Sequence, residues 1–207
     1  MNVLLTGGAG YIGSHICYKL LDLGYTVLTI DNLSTGNKNL IPKEVEHINA
    51  DISDIQTVTS LIKKNKFDVV MHLAAFTRVG ESVKNPKKYL SNNFEKAKIF
   101  IDTCLNNGLK KFIFSSTGSV YGNLDHNINI KETEPTNPIL FTSLWRTIAD
   151  PVLPSPVRIL ITPGGNICSA ISPKRRLDSG ACSGPLITTV FPAASAEAAF
   201  SAQNLKG

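Results

Sequence analysis

The first five strand-forming residues, Asn2–Thr6, run directly into Gly7-Gly8-Ala9-Gly10-Tyr11-Ile12-Gly13, and an amphipathic segment follows at once. Few folds place three spaced glycines between a buried strand and a helix. Gly7 permits a tight turn, Gly10 lets backbone approach a pyrophosphate, and Gly13 lets the helix lie close against the strand. The helix start then offers backbone N–H donors, at Tyr11 and Ile12 among others, and the positive end of its dipole to phosphate oxygens. A bare glycine-rich turn is the plain alternative. The strand-before, helix-after setting favours a dinucleotide cradle.

The rest of the first two-thirds repeats the same alternation. Residues 26–30, 45–50, 68–73 and 111–116 read as strands, 68–73 strongly apolar. Between them lie amphipathic stretches. Ile12, Ile16, Leu20 and Leu23 share one face of the first, which ends at Gly24 in the position of a C-terminal cap. Ile55, Val58, Leu61 and Ile62 face inward on the next, capped by Ser53 or Asp54. A long helix carries Leu90, Phe94, Ala97, Ile101, Cys104 and Leu105 at three-four spacing and stops at Gly108. Continuous apolar strands joined by such helices predict an α/β fold, a Rossmann-like doubly wound parallel sheet. Ligands of these sheets bind at the carboxyl ends of the strands.

Polar residues collect at those ends. Asp31 closes the second strand about 20 residues past the glycines, where a carboxylate accepts hydrogen bonds from the adenosine ribose and repels a 2′-phosphate. The implied cofactor is NAD. Asn32, Ser34 and Gly36 follow in a polar loop able to wrap the adenosine. Asp51 and Ile52, past the third strand, are placed beside adenine. A turn or cap role is the plain reading for either aspartate. His72, ending a strand among apolar neighbours, reads as a core histidine.

Taken in order, TGGAGYIGSH, DNLSTG, HLAA at 72–75, VGES at 79–82 and FIFSSTGSVYG at 112–122 resemble the UDP-glucose 4-epimerases, extended short-chain dehydrogenases that interconvert UDP-glucose and UDP-galactose. The resemblance implies that Leu73, Ala74 and Ala75 wall the dinucleotide and that Asn93 lies near it. It puts Ser115 and Ser116 near the nicotinamide and makes Thr117 the catalytic hydroxyl that bonds the sugar 4-OH. Related dehydratases usually carry Asp-Glu after that threonine, whereas Gly118 and Ser119 follow it here. The family reaction also needs a tyrosine followed by a lysine four residues later. That lysine helps lower the tyrosine pKa so that its phenolate takes the 4-hydroxyl proton.

This second half of the machinery does not follow. Glu134-Pro135-Thr136-Asn137-Pro138 leads into Ile139-Leu140-Phe141, and no tyrosine occurs after Tyr121. Composition changes at the same point. Lys and Asn, dense before residue 138, are reduced to Asn166, Lys174, Asn204 and Lys206, while Pro151, Pro154, Pro156, Pro163, Pro173, Pro185 and Pro192 crowd in. The expectation is an NAD-binding domain over 1–138 and a non-family tail over 139–207, irregular or disordered. A frameshift accounts for the tail better than a genuine second domain does. Residues 157–162 and 186–191 nevertheless have strand composition and could pair at the sheet edge.

A net charge of +5 without a basic, aromatic-studded stripe argues against nucleic acid. No apolar run suits a bilayer and no leader is evident, so the expected setting is the cytoplasm. Cys17, Cys104, Cys168 and Cys182 lack metal-ligand spacing and read as free thiols. By resemblance the partners are a UDP-hexose and a second copy in a homodimer. The reading is an isomerase crippled by the missing Tyr-xxx-Lys. Alternatives are a non-catalytic NAD-binding module and a related dehydratase or reductase.

Overall fold

The computed structural model describes residues 1–109, 111–115, 121–122, 135 and 137, and the backbone of 158–160. Its strands are β1 (Asn2–Thr6), β2 (Thr26–Ile30), β3 (Glu46–Ile48), β4 (Val69–His72), β5 (Phe112–Ser115) and β6 (Arg158–Leu160). The helices are α1 (Tyr11–Asp22), α2 (Ile55–Lys64), α3 (Val79–Lys84), α4 (Pro86–Leu90) and α5 (Ala97–Asn106). All six strands are parallel, in the order β3-β2-β1-β4-β5-β6. The order reverses between β1 and β4, and a crevice opens there at the carboxyl ends of the strands. Thr6, at the end of β1, is in register with Ile30 on one side and His72 on the other.

Alternation along β1 divides its side chains between two cores. Leu4 joins Val58, Leu61 and Ile62 of α2 and Phe100, Ile101 and Cys104 of α5 on one face. Val3 and Leu5 join Ile16, Cys17 and Leu20 of α1 on the other. Each fully buried Leu or Phe contributes roughly 1.5–3 kcal/mol over its exposed state, so both sheet faces need their helices. Caps fix where these helices start and stop. Asp54 accepts from Thr57 N–H at the start of α2. Gly24 (φ +75°) ends α1: its N–H bonds Leu21 O and the Tyr25 N–H bonds Leu20 O, a paired C-terminal lock.

Several expectations need correction. The long helix is not uniform: α4 passes through a π-helical turn, Ser91–Lys96, before α5 begins. The apolar spacing of Leu90, Phe94, Ala97 and Ile101 did not reveal that wider turn. Ile12 and Ile55 are exposed, because each stands in the first turn of its helix, beyond the reach of the sheet. The short helix α3 was not anticipated. The strand that residues 157–162 could form is present as Arg158–Leu160, beside β5. The expectations for 186–191 and for an irregular or disordered tail lie outside the described residues. Among the described residues no helix is long and apolar enough to cross a membrane.

Candidate functional site

The glycine turn is shaped by close approach. Gly7 has φ +79°, and a Cβ there would come within 2.9 Å of Ala74 N in the loop after β4. At Gly13 a Cβ would lie 2.0 Å from Gly7 O, backbone that cannot move aside. Gly8, not singled out from the sequence, is equally tight, because its N–H bonds the buried Thr29 hydroxyl. The start of α1 has no side-chain cap and no acidic residue in its first turn. Gly10 and Ser14 N–H bond the carbonyls of Gly7 and Gly10. The N–H groups of Tyr11, Ile12 and Gly13 find no acceptor among the described residues, the normal state of a helix start. Tyr11 and Ile12 turn their side chains to solvent, so what they offer a ligand is backbone.

A cleft runs along this turn, lined by Gly7, Gly10, Ile30, Asp31, Asn32, Ser34, Thr35, Gly36, Ala50, Asp51, Ile52, Leu73, Ala74, Ala75, Phe76 and Asn92. Asp31 Oδ2 accepts from Ala9 N–H at 2.9 Å and Oδ1 from Leu33 N–H at 2.8 Å. An ionised carboxylate has about four acceptor positions, so among the described residues one on each oxygen stays open. Leu33 itself is held at φ +56°, a conformation costing roughly 1–2 kcal/mol for a residue with a Cβ. Two side-chain bonds hold it there: Asp31 takes the Leu33 N–H, and Asn32 Oδ1 takes the Ser34 N–H at 3.1 Å.

Asp51 is different. Its Oδ1 accepts from Ser53 N–H (3.0 Å) and the Ser53 hydroxyl (2.7 Å), and its Oδ2 accepts from Asn32 Nδ2 (3.0 Å) and Lys96 Nζ (2.6 Å). All four positions are taken. Burial alone would push this carboxyl up. The Lys96 bond, with those from Ser53 and Asn32, overrides burial and brings the pKa to about 2.

The far wall hangs on Thr6. Its fully buried hydroxyl accepts from Leu73 N–H at 3.1 Å and Ala74 N–H at 3.2 Å, which leaves its proton for His72 Nδ1 at 2.8 Å. His72 stacks against Phe100 and tilts against Phe114, and burial lowers its pKa to about 4. It is the core histidine expected. Asn93 is buried away from the cleft wall. Its Oδ1 accepts from Phe76 N–H at 2.8 Å, and its Nδ2 donates to Phe76 O at 2.9 Å. Its neighbour Asn92 lines the cleft instead. Both asparagines lie in the π-helical turn, and which of two adjacent residues lines the cleft is not visible in sequence. Thr35 stands inside DNLSTG but was not singled out there, and Phe76 and Asn92 carry no motif that would have marked them. Ser115 ends β5, half-buried. Ser116 and the proposed catalytic Thr117 lie outside the described residues.

A parallel 3-2-1-4-5-6 sheet with this turn narrows the families to a few. The NAD dependent epimerase/dehydratase family matches residues 3–143. The chain belongs to that family. NAD is the cofactor that the family is described by. A UDP-glucose 4-epimerase of Azospirillum brasilense is 41% identical over 137 residues, covering 66% of this chain and 39% of the relative. A putative UDP-arabinose 4-epimerase of Arabidopsis thaliana is 40% identical over 147 residues, 67% of this chain and 35% of the relative. The solved UDP-glucose 4-epimerase of Brucella ovis in complex with NAD superposes with a TM-score of 0.70 at 34% identity, covering 77% of this chain and 50% of that one. The chain thus spans about two-fifths of the length of the curated relatives it matches.

Proposed function

We propose that this chain binds NAD as the cofactor half of a UDP-glucose 4-epimerase-like enzyme, and that the 207-residue polypeptide itself turns over little or no UDP-hexose. One observation supports the first part above all. Among the described residues Asp31 keeps an acceptor position open on each oxygen, in the same cleft as an uncapped helix start. That pairing of a diol acceptor with a phosphate cradle fits a ribose-pyrophosphate unit, and the carboxylate disfavours a 2′-phosphate. Gly7, Gly10 and Gly13 hold the cradle open. Leu73, Ala74 and Ala75 form the apolar wall, and Asn92 and Phe76 stand beside them. Asn93 serves the site at one remove, by fixing Phe76. Ser115 ends β5 and is followed in sequence by Ser116 and Thr117; by resemblance to the family, Thr117 would hydrogen-bond the sugar 4-hydroxyl.

Bound NAD supplies a hydride acceptor, and then a hydride donor, for the sugar C4. What this chain lacks is a residue to move the hydroxyl proton. No tyrosine follows Tyr121, and no tyrosine anywhere has a lysine four residues on. Loss of a positioned base costs about 10²–10⁴-fold. A non-catalytic NAD-binding role for the chain follows from the same facts.

Titration calorimetry with NAD and NADP, together with a coupled UDP-galactose assay, tests both parts. The expected result is saturable binding of NAD, much weaker binding of NADP, and no sustained turnover. Absence of NAD binding refutes the first part. Turnover near that of a complete epimerase refutes the second. Stoichiometric NADH formation without epimerisation points instead to a dehydratase or reductase.

A further inference from the structure

The fully occupied Asp51 carboxylate cannot serve a ligand directly without giving up a bond. Its bonds point elsewhere, along a continuous chain. Lys96 Nζ, from the last position of the π-helical turn, donates to Asp51 Oδ2. Asn32 Nδ2 donates to that same oxygen, and Asn32 Oδ1 in turn accepts the Ser34 N–H. The chain ends on the loop that carries the strained Leu33 and lines the Asp31 side of the cleft. Lys96 is thus tied to the adenosine loop through two side chains, although 45 residues of sequence separate it from Asp51.

Resting on the NAD-binding reading, we propose that Lys96 is a positioning residue for the adenosine half of the cofactor. It anchors Asp51 and Asn32, and these hold the 32–36 loop in the shape that presents Asp31 to the ribose. Lys96 does not touch the cofactor. Ser53 holds Oδ1 of Asp51 in any case; the ammonium fixes Oδ2, the oxygen that Asn32 shares. The half-buried pair is screened on one side by water, so its influence on affinity is moderate, about fivefold.

The test is a double-mutant cycle on the full chain, with Lys96→Met, Asp51→Asn and the double variant. Each is titrated with NAD, ADP-ribose and nicotinamide mononucleotide. The expected result is about fivefold weaker NAD and ADP-ribose binding in Lys96→Met, with nicotinamide mononucleotide unchanged. The double variant should bind no more weakly than Asp51→Asn, because Lys96 acts only through that carboxylate. Lys96→Arg, which keeps the cation, should restore binding even if the methionine variant folds poorly. Additive losses, equal losses with all three probes, or unaltered ADP-ribose binding overturn the proposal. A wild-type chain that binds neither NAD nor ADP-ribose overturns the cofactor reading, and this proposal with it.

Discussion

Replacing Thr6 with valine should cost about 2 kcal/mol of stability. Valine keeps the branched shape and rotamer preference, so it opens little cavity and the loss isolates the hydroxyl. Ala74 N–H bonds only that hydroxyl among the described residues, and stranding a buried donor costs about 1–3 kcal/mol. The bond to His72 Nδ1 adds roughly 0.5–1.5 kcal/mol. Leu73 N–H loses little, because it also reaches Thr6 O at 3.2 Å. The buried methyl returns about 0.8 kcal/mol. For a chain of this size the net loss lowers Tm by roughly 4–8 °C. Urea denaturation followed by circular dichroism measures it, with Thr6→Ser as the control that keeps the hydroxyl. A Thr6→Val change below about 0.5 kcal/mol, within the usual range of neutral surface substitutions, would refute the hub. So would a Thr6→Ser loss as large as that of Thr6→Val, since methyl packing would then carry the effect.

Two further outcomes follow from the same region. Gly13→Ala should abolish detectable NAD binding in calorimetry, because its Cβ would sit 2.0 Å from Gly7 O; unaltered affinity would show that the turn is not the phosphate cradle. His72 has a folded pKa of about 4 against an ordinary 6.5, so the unfolded chain takes up a proton that the folded chain refuses. Stability is therefore full above pH 6.5 and declines as pH falls toward 4, by about 3 kcal/mol over that window. Urea midpoints at pH 7.5 and 4.5 measure the decline, and a flat profile counts against a buried neutral imidazole.

Strands β1, β2, β4 and β5 were legible as apolar runs, whereas β3, Glu46-His47-Ile48, is polar in two of its three residues and showed only by its place before Asp51; residues 157–162 offered β6 only as a possibility, by strand composition. Gly24 and Gly108, both at positive φ, marked helix ends for a local steric reason that needs no tertiary contact. Helix α3, with the sequence VGESVK, is too short and polar to show a period. The π-helical turn was hidden because apolar spacing tolerates one wider turn, and with it went the distinction between Asn92 and Asn93. Asp51 was found from its place after β3, but its partner Lys96 looked like any solvated lysine. Only the tertiary approach of the helix to the β3 end pairs them.

The link between Thr6 and His72 spans 66 residues, and that separation has a consequence during synthesis. β1 pairs with β2 as soon as residue 30 has emerged from the ribosome, but its other edge must wait for β4. Through that interval the strand at the centre of the finished sheet is an open apolar edge, the kind of surface other nascent chains can add to. Contacts this far apart in the chain also close late and slowly. The vulnerable interval for this chain is therefore the one between the emergence of residue 30 from the ribosome and that of residue 72, before the histidine arrives to be held.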